Sequence, residues 1–248
     1  MIYLDYSATT PVEKVVLNRF ADTNARFFAN SNSQHALGHQ TEKQIERAVQ
    51  TIQAAFHCPH HRVIFTSGAT EANNLAILGL AKKELQSRKH IITTAYEHSS
   101  VTAAIHQLAT EGFEVELVSL LPNGTLDYEE LKRLLRKDTL LVSIASVFSE
   151  MGHVQDLAKI AAIVHEVPGV YFHSDATQMI GKQEAAFQEV DILSYTAHKI
   201  YGLKGIGALL VKEGIELKKQ IIGGHSFQKE RSGTRSEEHT SELQSPNT

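Results

Sequence analysis

The sequence has one cysteine, no tryptophan, five prolines and fifteen glycines in 248 residues. A lone thiol forbids an intrachain disulfide, so the chain is no disulfide scaffold, and a reducing cytoplasm is the expected setting. So little glycine and proline, beside 42% hydrophobic and 21% charged residues, excludes collagen-like, low-complexity and disordered classes. No apolar run reaches the ~18 residues that a membrane span needs, and Met1 leads straight into Ile-Tyr-Leu-Asp with no cationic, hydrophobic leader. The formal charge of −4 comes from interspersed acidic and basic residues. Neither a nucleic-acid stripe nor a patch for an anionic membrane is present. What is left is the composition of a soluble globular protein that binds small molecules.

The final stretch, RSEEHTSELQS from Arg235 to Ser245 followed by Pro246, Asn247 and Thr248, has no apolar period. It resembles the translation of a common sequencing-library adapter at every codon. Residues 235–248 are therefore expected to be a disordered read-through artefact, and residues 1–234 the domain. Upstream, Ile45, Ala48, Val49, Ile52, Ala55 and Phe56 recur at helical spacing and lead into the β-rich run RVIFT at 62–66. The alternation continues with a helix over 70–85, a strand at 90–95, a helix from Ser99 ended by Gly112, and a strand at 113–120. Asp127 with Glu130 reads as a capping box for the helix YEELKRLLRK, and LLVSIASV at 140–147 as a strand buried on both faces. A helix over 156–167, VYFHSD, DILSYT and GALLVK complete the pattern. About seven strands alternating with helices predict an α/β fold: a mainly parallel seven-stranded sheet with helices on both faces.

Three clusters carry chemistry. Thr66-Ser67-Gly68-Ala69-Thr70-Glu71-Ala72-Asn73-Asn74 lies where a strand gives way to a helix, and small residues there let backbone N–H groups approach a phosphate. The plain alternative is a strand-to-helix turn with Thr70 as its cap. Asp175, in HSDATQ, stands at a strand's carboxyl end, where open α/β sheets place ligands, although an aspartate there also caps turns. Lys199, in AHKIYG, follows an apolar strand among Gly202, Gly205 and Gly207. It is a candidate Schiff-base lysine or simply a solvated charge. The string His57-Cys58-Pro59-His60-His61 packs too many ligand types into too short a stretch for one tetrahedral metal, and no second half follows, so no metal is assigned.

Together with Asp5-Tyr6-Ser7-Ala8-Thr9-Thr10-Pro11, Glu97-His98, Lys204-Gly205-Ile206-Gly207 and Arg231-Ser232-Gly233-Thr234, these clusters resemble the cysteine desulfurases of the NifS/IscS type. Those are class V, fold-type-I pyridoxal-phosphate enzymes. The resemblance runs in order from Ile2 to Thr234. It implies the large, cofactor-binding domain of that fold with the C-terminal small domain missing. It also implies pyridoxal 5'-phosphate as cofactor, L-cysteine as substrate, and conversion to L-alanine with the sulfur passed on as a persulfide.

By the same resemblance, Lys199 is the lysine that holds the cofactor and later moves the substrate Cα proton, and Asp175 is the partner of the pyridinium nitrogen. Gln178 bonds the phenolic oxygen, and His98 stacks on the ring and shuttles a proton. Ala69, Thr70, Thr196 and His198 contribute to the cofactor and phosphate site, and Thr234 reaches the phosphate of a second subunit in a homodimer. Departures stand beside these matches. Ser149, in Phe148-Ser149-Glu150, replaces an asparagine that contacts the cofactor oxygen. Ser31 and Leu203 replace prolines, and Thr196-Ala197 replaces Ser-Gly. The persulfide-forming cysteine and the substrate-carboxylate arginine of the family lie past the RSGT segment, so the chain as it stands is expected not to turn over. A selenocysteine lyase or aminotransferase sharing Lys199, Asp175 and His98 is the neighbouring alternative, and a non-catalytic module of the same fold the more distant one. The sulfur acceptor, whether for iron–sulfur cluster assembly, tRNA thiolation or another pathway, is not readable.

Overall fold

The computed structural model describes residues 2–84, 88–223 and 229–232. Its helices are α1 (Lys14–Arg26), α2 (Ala36–Ala55), α3 (Ala69–Lys83), α4 (Ser99–Thr110), α5 (Tyr128–Leu134) and α6 (Leu157–Val164). Its strands are β1 (His61–Thr66), β2 (His90–Thr93), β3 (Glu114–Leu117), β4 (Thr139–Ser143), β5 (Val147–Phe148), β6 (His153–Val154), β7 (Tyr171–Asp175), β8 (Ile192–Thr196) and β9 (Gly207–Lys212). Seven strands form one sheet in the order β1-β9-β8-β7-β4-β2-β3, while β5 and β6 pair as a small hairpin of their own.

Pairing is parallel from β8 across to β3, whereas β9 is antiparallel to both β8 and β1. The expectation of a mainly parallel seven-stranded sheet holds, but the strict strand–helix alternation fails at its end. Only the segment carrying Lys199 separates β8 from β9, too little chain for a helical crossover, and an antiparallel return is the short route. The hairpin β5–β6 and helix α1 were not read from the sequence.

Each central strand is apolar on both faces because helices cover both. Val63, Phe65, Ile92, Val142, Phe172, Leu193 and Leu210 pack with Ile45 and Ile52 of α2, with Phe56 just after it, and with Leu157, Ile160 and Val164 of α6. Their sequence neighbours Ile64, Ile91, Leu141, Ile192, Leu209 and Val211 pack with Leu75 and Leu80 of α3 and Val101 and Leu108 of α4. The period-two alternation of a strand thus sends successive side chains into two separate cores.

The capping box at α5 is only half formed. Asp127 Oδ1 accepts from the Glu130 N–H at 3.0 Å. Glu130 Oε2, however, takes the Ser119 N–H at 2.6 Å, while the Asp127 N–H donates to the Ser119 carbonyl. The glutamate anchors the chain just before the antiparallel Leu120–Leu126 bridge instead of its own cap.

Two glycines let β9 enter beside the turn that follows β1. A Cβ on Gly207 would stand 2.6 Å from Gly68 Cα and 2.6 Å from the Tyr195 carbonyl oxygen, both backbone atoms. Gly68 has φ +152°, which other residues rarely adopt. Gly207→Ala is expected to destabilise the fold by about 2–3 kcal/mol in urea unfolding and to displace the turn at Gly68; an unchanged midpoint would show that the strands can part without cost.

Candidate active site

The carboxyl ends of β1, β2, β4, β7 and β8 and the start of β9 converge on one cavity of about 690 Å³. Open α/β sheets bind ligands at this end because strand-to-helix turns aim backbone N–H groups and side chains there. Ser67, Gly68, Ala69 and Thr70 enter from the end of β1, Tyr96 and His98 from β2, Asp175 from β7, and Thr196, His198 and Lys199 from β8.

Helix α3 opens at this cavity without a side-chain cap: its N-cap is Gly68, so the alternative of a Thr70 cap fails. The Ala72 N–H already bonds the Gly68 carbonyl. The N–H groups of Ala69, Thr70 and Glu71 have no acceptor among the described residues, and the helix dipole favours an anion in front of them. Glu71 does not fill that place. Burial alone would raise its pKa, but hydrogen bonds from Ser67 and the Arg231 guanidinium outweigh this and hold its carboxyl below the usual range. Arg231 Nε meets Glu71 Oε1 at 3.0 Å, which fastens the start of the RSGT segment beside α3. Thr234 lies outside the described residues.

Lys199 ends a single turn of 3-10 helix at Ala197–Lys199, directly after β8. The N-terminal segment holds this turn from across the sequence. Thr10 N–H donates to the His198 carbonyl at 2.8 Å, the Thr9 hydroxyl lies 3.1 Å from His198 Nδ1, and Tyr201 N–H donates to the Thr10 hydroxyl at 2.7 Å. Tyr201 has φ 65°, a strained turn that these bonds maintain. The Lys199 amine has no hydrogen-bond or ion-pair partner among the described residues. Its charge is felt nearby: burial first and Lys199 second lower the pKa of Lys182, and burial, Lys199 and Lys204 lower that of His198.

Asp175 is buried at the end of β7 and accepts from the Thr177 N–H at 3.0 Å through Oδ1 and from Asn73 Nδ2 at 2.8 Å through Oδ2. His98 is the N-cap of α4, its Nδ1 accepting the Ser100 N–H at 3.2 Å. Ser149 follows β5 and lines the cavity in an exposed position. Two expected ligands are engaged elsewhere, and a third is exposed. Gln178 donates to the Ser7 carbonyl at 3.0 Å and accepts from Lys182 Nζ at 2.7 Å. The Thr196 hydroxyl donates to the Ile206 carbonyl at 3.1 Å. Thr70 is exposed at the cavity mouth.

A phosphorylated aldehyde fits these residues. The uncapped N-terminus of α3 beside His198 and Lys204 suits a phosphate, the unpartnered Lys199 amine suits a carbonyl carbon, and Asp175 suits a protonated ring nitrogen. The buried Thr177 hydroxyl in the cavity wall, without a partner among the described residues, is a polar group that such a ligand would satisfy.

The family model for class-V aminotransferases matches residues 2–247. The chain belongs to the class-V aminotransferase family. That family depends on pyridoxal phosphate. The chain is 42% identical over 240 residues to the cysteine desulfurase IscS of Neisseria meningitidis serogroup C (strain 053442), a match covering 94% of this chain but only 59% of that protein. Among solved structures, a NifS-like protein superposes with a TM-score of 0.92 at 32% identity, covering 98% of this chain and 67% of that one. SspA in complex with cysteine gives 0.90 at 34% identity, covering 98% and 71%. Among the described residues no helix is long and apolar enough to cross a membrane.

The site contains more than the sequence reading found. Tyr96, Thr9 and Thr177 line the cavity without a role having been assigned to them. Asn73 is fully buried between Asp175, Ser100 and Ser194. Its signal was available: Asn73 shares a helical phase with Ile77 and Leu80, and a polar residue in a core phase calls for partners.

Proposed function

We propose that this chain is the cofactor-binding part of a cysteine desulfurase, which converts L-cysteine to L-alanine and leaves the sulfur as a persulfide on a cysteine beyond Thr234. The observation that carries this is the unpartnered Lys199 amine, sharing a cavity with the Asp175 carboxylate, the His98 ring and the uncapped start of α3. Bound pyridoxal phosphate supplies an electron sink for the pair released when substrate Cα loses its proton. Lys199 takes that proton and returns one after the C–S bond has broken. Asp175 holds a proton on the ring nitrogen, and His98 moves a proton at the substrate sulfur. Cys58 does not serve as the sulfur acceptor: it is fully buried, its S–H donates to the Phe56 carbonyl, and burial pushes its pKa up to about 12, so almost no thiolate forms.

The reading extends to a homodimer in which Thr234 meets the partner's phosphate, to a cytoplasmic setting, and to residues 235–248 as an adapter-derived tail. The 94% of the chain aligned with the Neisseria protein supports the last point, and the family match to residue 247 counts against it. Sequencing the source DNA across codon 234 resolves it and supplies the rest of the gene. The protein so completed is expected to yield alanine and persulfide from L-cysteine, while the 248-residue chain yields neither. Keto acid in place of alanine would move the assignment to an aminotransferase, and turnover by the short chain would overturn the role given to the downstream thiol.

A further inference from the structure

Beneath the cavity runs a hydrogen-bonded chain of buried polar side chains whose direction the donors and acceptors settle. Asn73 Nδ2 lies 2.8 Å from Asp175 Oδ2 and 2.9 Å from Ser100 Oγ, and Asn73 Oδ1 meets the Ser194 hydroxyl. A carboxylate only accepts, so the amide nitrogen must face Asp175 and the amide oxygen must face Ser194. The second amide hydrogen then points at Ser100 Oγ, which has to accept it. The proton of Ser100 is left for another acceptor, and His98 Nδ1 stands 2.8 Å away. The Ser100 backbone N–H reaches the same nitrogen at 3.2 Å. A ring nitrogen that receives two donors carries no proton of its own. The far arm obeys the same logic: Ser194 gives its proton to Asn73, accepts from His173 Nε2 at 3.2 Å, and His173 Nδ1 faces the Ser143 hydroxyl at 2.8 Å.

We propose that Asn73 is a positioning residue which, through Ser100, fixes neutral His98 as the Nε2–H tautomer while it holds the carboxylate of Asp175. His98 therefore presents a donor, not a lone pair, from the nitrogen that has no protein partner among the described residues. This rests on the reading of His98 and Asp175 as the groups that face cofactor and substrate, and it makes neutral His98 a hydrogen-bond donor to whatever binds there.

Long-range proton–nitrogen correlation spectra of the uniformly labelled 248-residue chain at pH 8 test the inference without any cofactor, with the His98 signals assigned by their loss in His98→Gln. The native chain is expected to show the Nε2–H form. Asn73→Asp replaces the donor to Ser100 with an acceptor. The Ser100 hydroxyl should then turn toward position 73, and the share of the Nδ1–H form of His98 should rise, opposed only by the Ser100 N–H that still faces Nδ1. Ser100→Ala, which leaves Asn73 and Asp175 in place, should raise the Nδ1–H to Nε2–H ratio about fivefold, the worth of one ordinary hydrogen bond; Ser100→Thr, which keeps the hydroxyl, should leave it as in the native chain. If Asn73→Asp does not fold, the serine pair decides alone. A native Nδ1–H tautomer, or an unchanged ratio in folded Ser100→Ala, overturns the proposal. Failure of the cofactor reading has a separate sign, a native chain that develops no visible absorption with pyridoxal phosphate.

Discussion

Lys199→Ala is expected to abolish the visible absorption band that the native chain develops on addition of pyridoxal phosphate, and in the gene-completed protein to lower alanine formation by about a thousandfold or more. The residue occupies the turn that joins the parallel part of the sheet to its antiparallel return, and the Thr9 and Thr10 bonds to His198 hold that turn in place. Lys199 is half-buried and makes no hydrogen bond or ion pair among the described residues, so alanine should leave the unfolding midpoint within about 1 kcal/mol of native. Loss of the band in a stable variant is then loss of amine chemistry and not of the fold. Lys199→Arg sharpens the test. It keeps a positive charge beside His198 and Lys204 and keeps attraction for the phosphate, but a guanidinium does not condense with an aldehyde. The expected outcome is retained binding, read by competition with inorganic phosphate, and no visible band. A native-like band in either variant would remove Lys199 from the role assigned to it and leave the family membership without its central residue.

What was legible in the sequence follows from the range of the interactions involved. The strands could be read because β1, β4, β8 and β9 are rich in apolar and β-branched residues buried on both sides, a local signal that sheet packing reinforces. The helix α5 stops at Leu134 and not at Lys137, since the end of a short helix is set by what the next residues bond: the Arg136 N–H goes to the Thr139 hydroxyl. Asp175 and Lys199 stood out because one ends a strand and the other follows one directly, whereas His98 came only from the family resemblance. The partners that tune them were not legible. Thr9 reaches His198 across 189 positions, Asn73 reaches Asp175 across 102, and Glu97 reaches the Ala145 N–H across 48. No local spacing encodes such pairs, and only the crossing of strands and helices brings them together.

Glu97→Gln is expected to stabilise the protein, and to do so increasingly as the pH rises. Glu97 is buried between two cavity-lining neighbours, Tyr96 and His98. Its Oε1 accepts from the Thr94 hydroxyl at 2.8 Å and from the Ala145 N–H at 2.9 Å, while Oε2 is buried without a partner among the described residues. Burial raises its pKa to about 8, helped by the negative charge of Asp175 and opposed by the two hydrogen bonds. The folded state therefore keeps a proton that the unfolded chain gives up above its ordinary value of 4.5, and stability falls as pH rises from about 4.5 to about 8. Glutamine imitates the protonated acid, with its oxygen free to keep both bonds, and it has no proton to lose. The difference between variant and native unfolding free energies should be near zero at pH 4.5 and grow to the order of 4 kcal/mol by pH 8, which urea unfolding at the two pH values would measure. A gap that is constant or shrinks with pH would mean that Glu97 is ionised in the folded protein. That outcome would also bear on the proposed site, because a second negative charge would then stand near Asp175. If Asp175 is the partner of the ring nitrogen as proposed, a neutral Glu97 leaves it as the single carboxylate charge there, its side chain accepting hydrogen bonds only from Asn73 and the Thr177 N–H among the described residues.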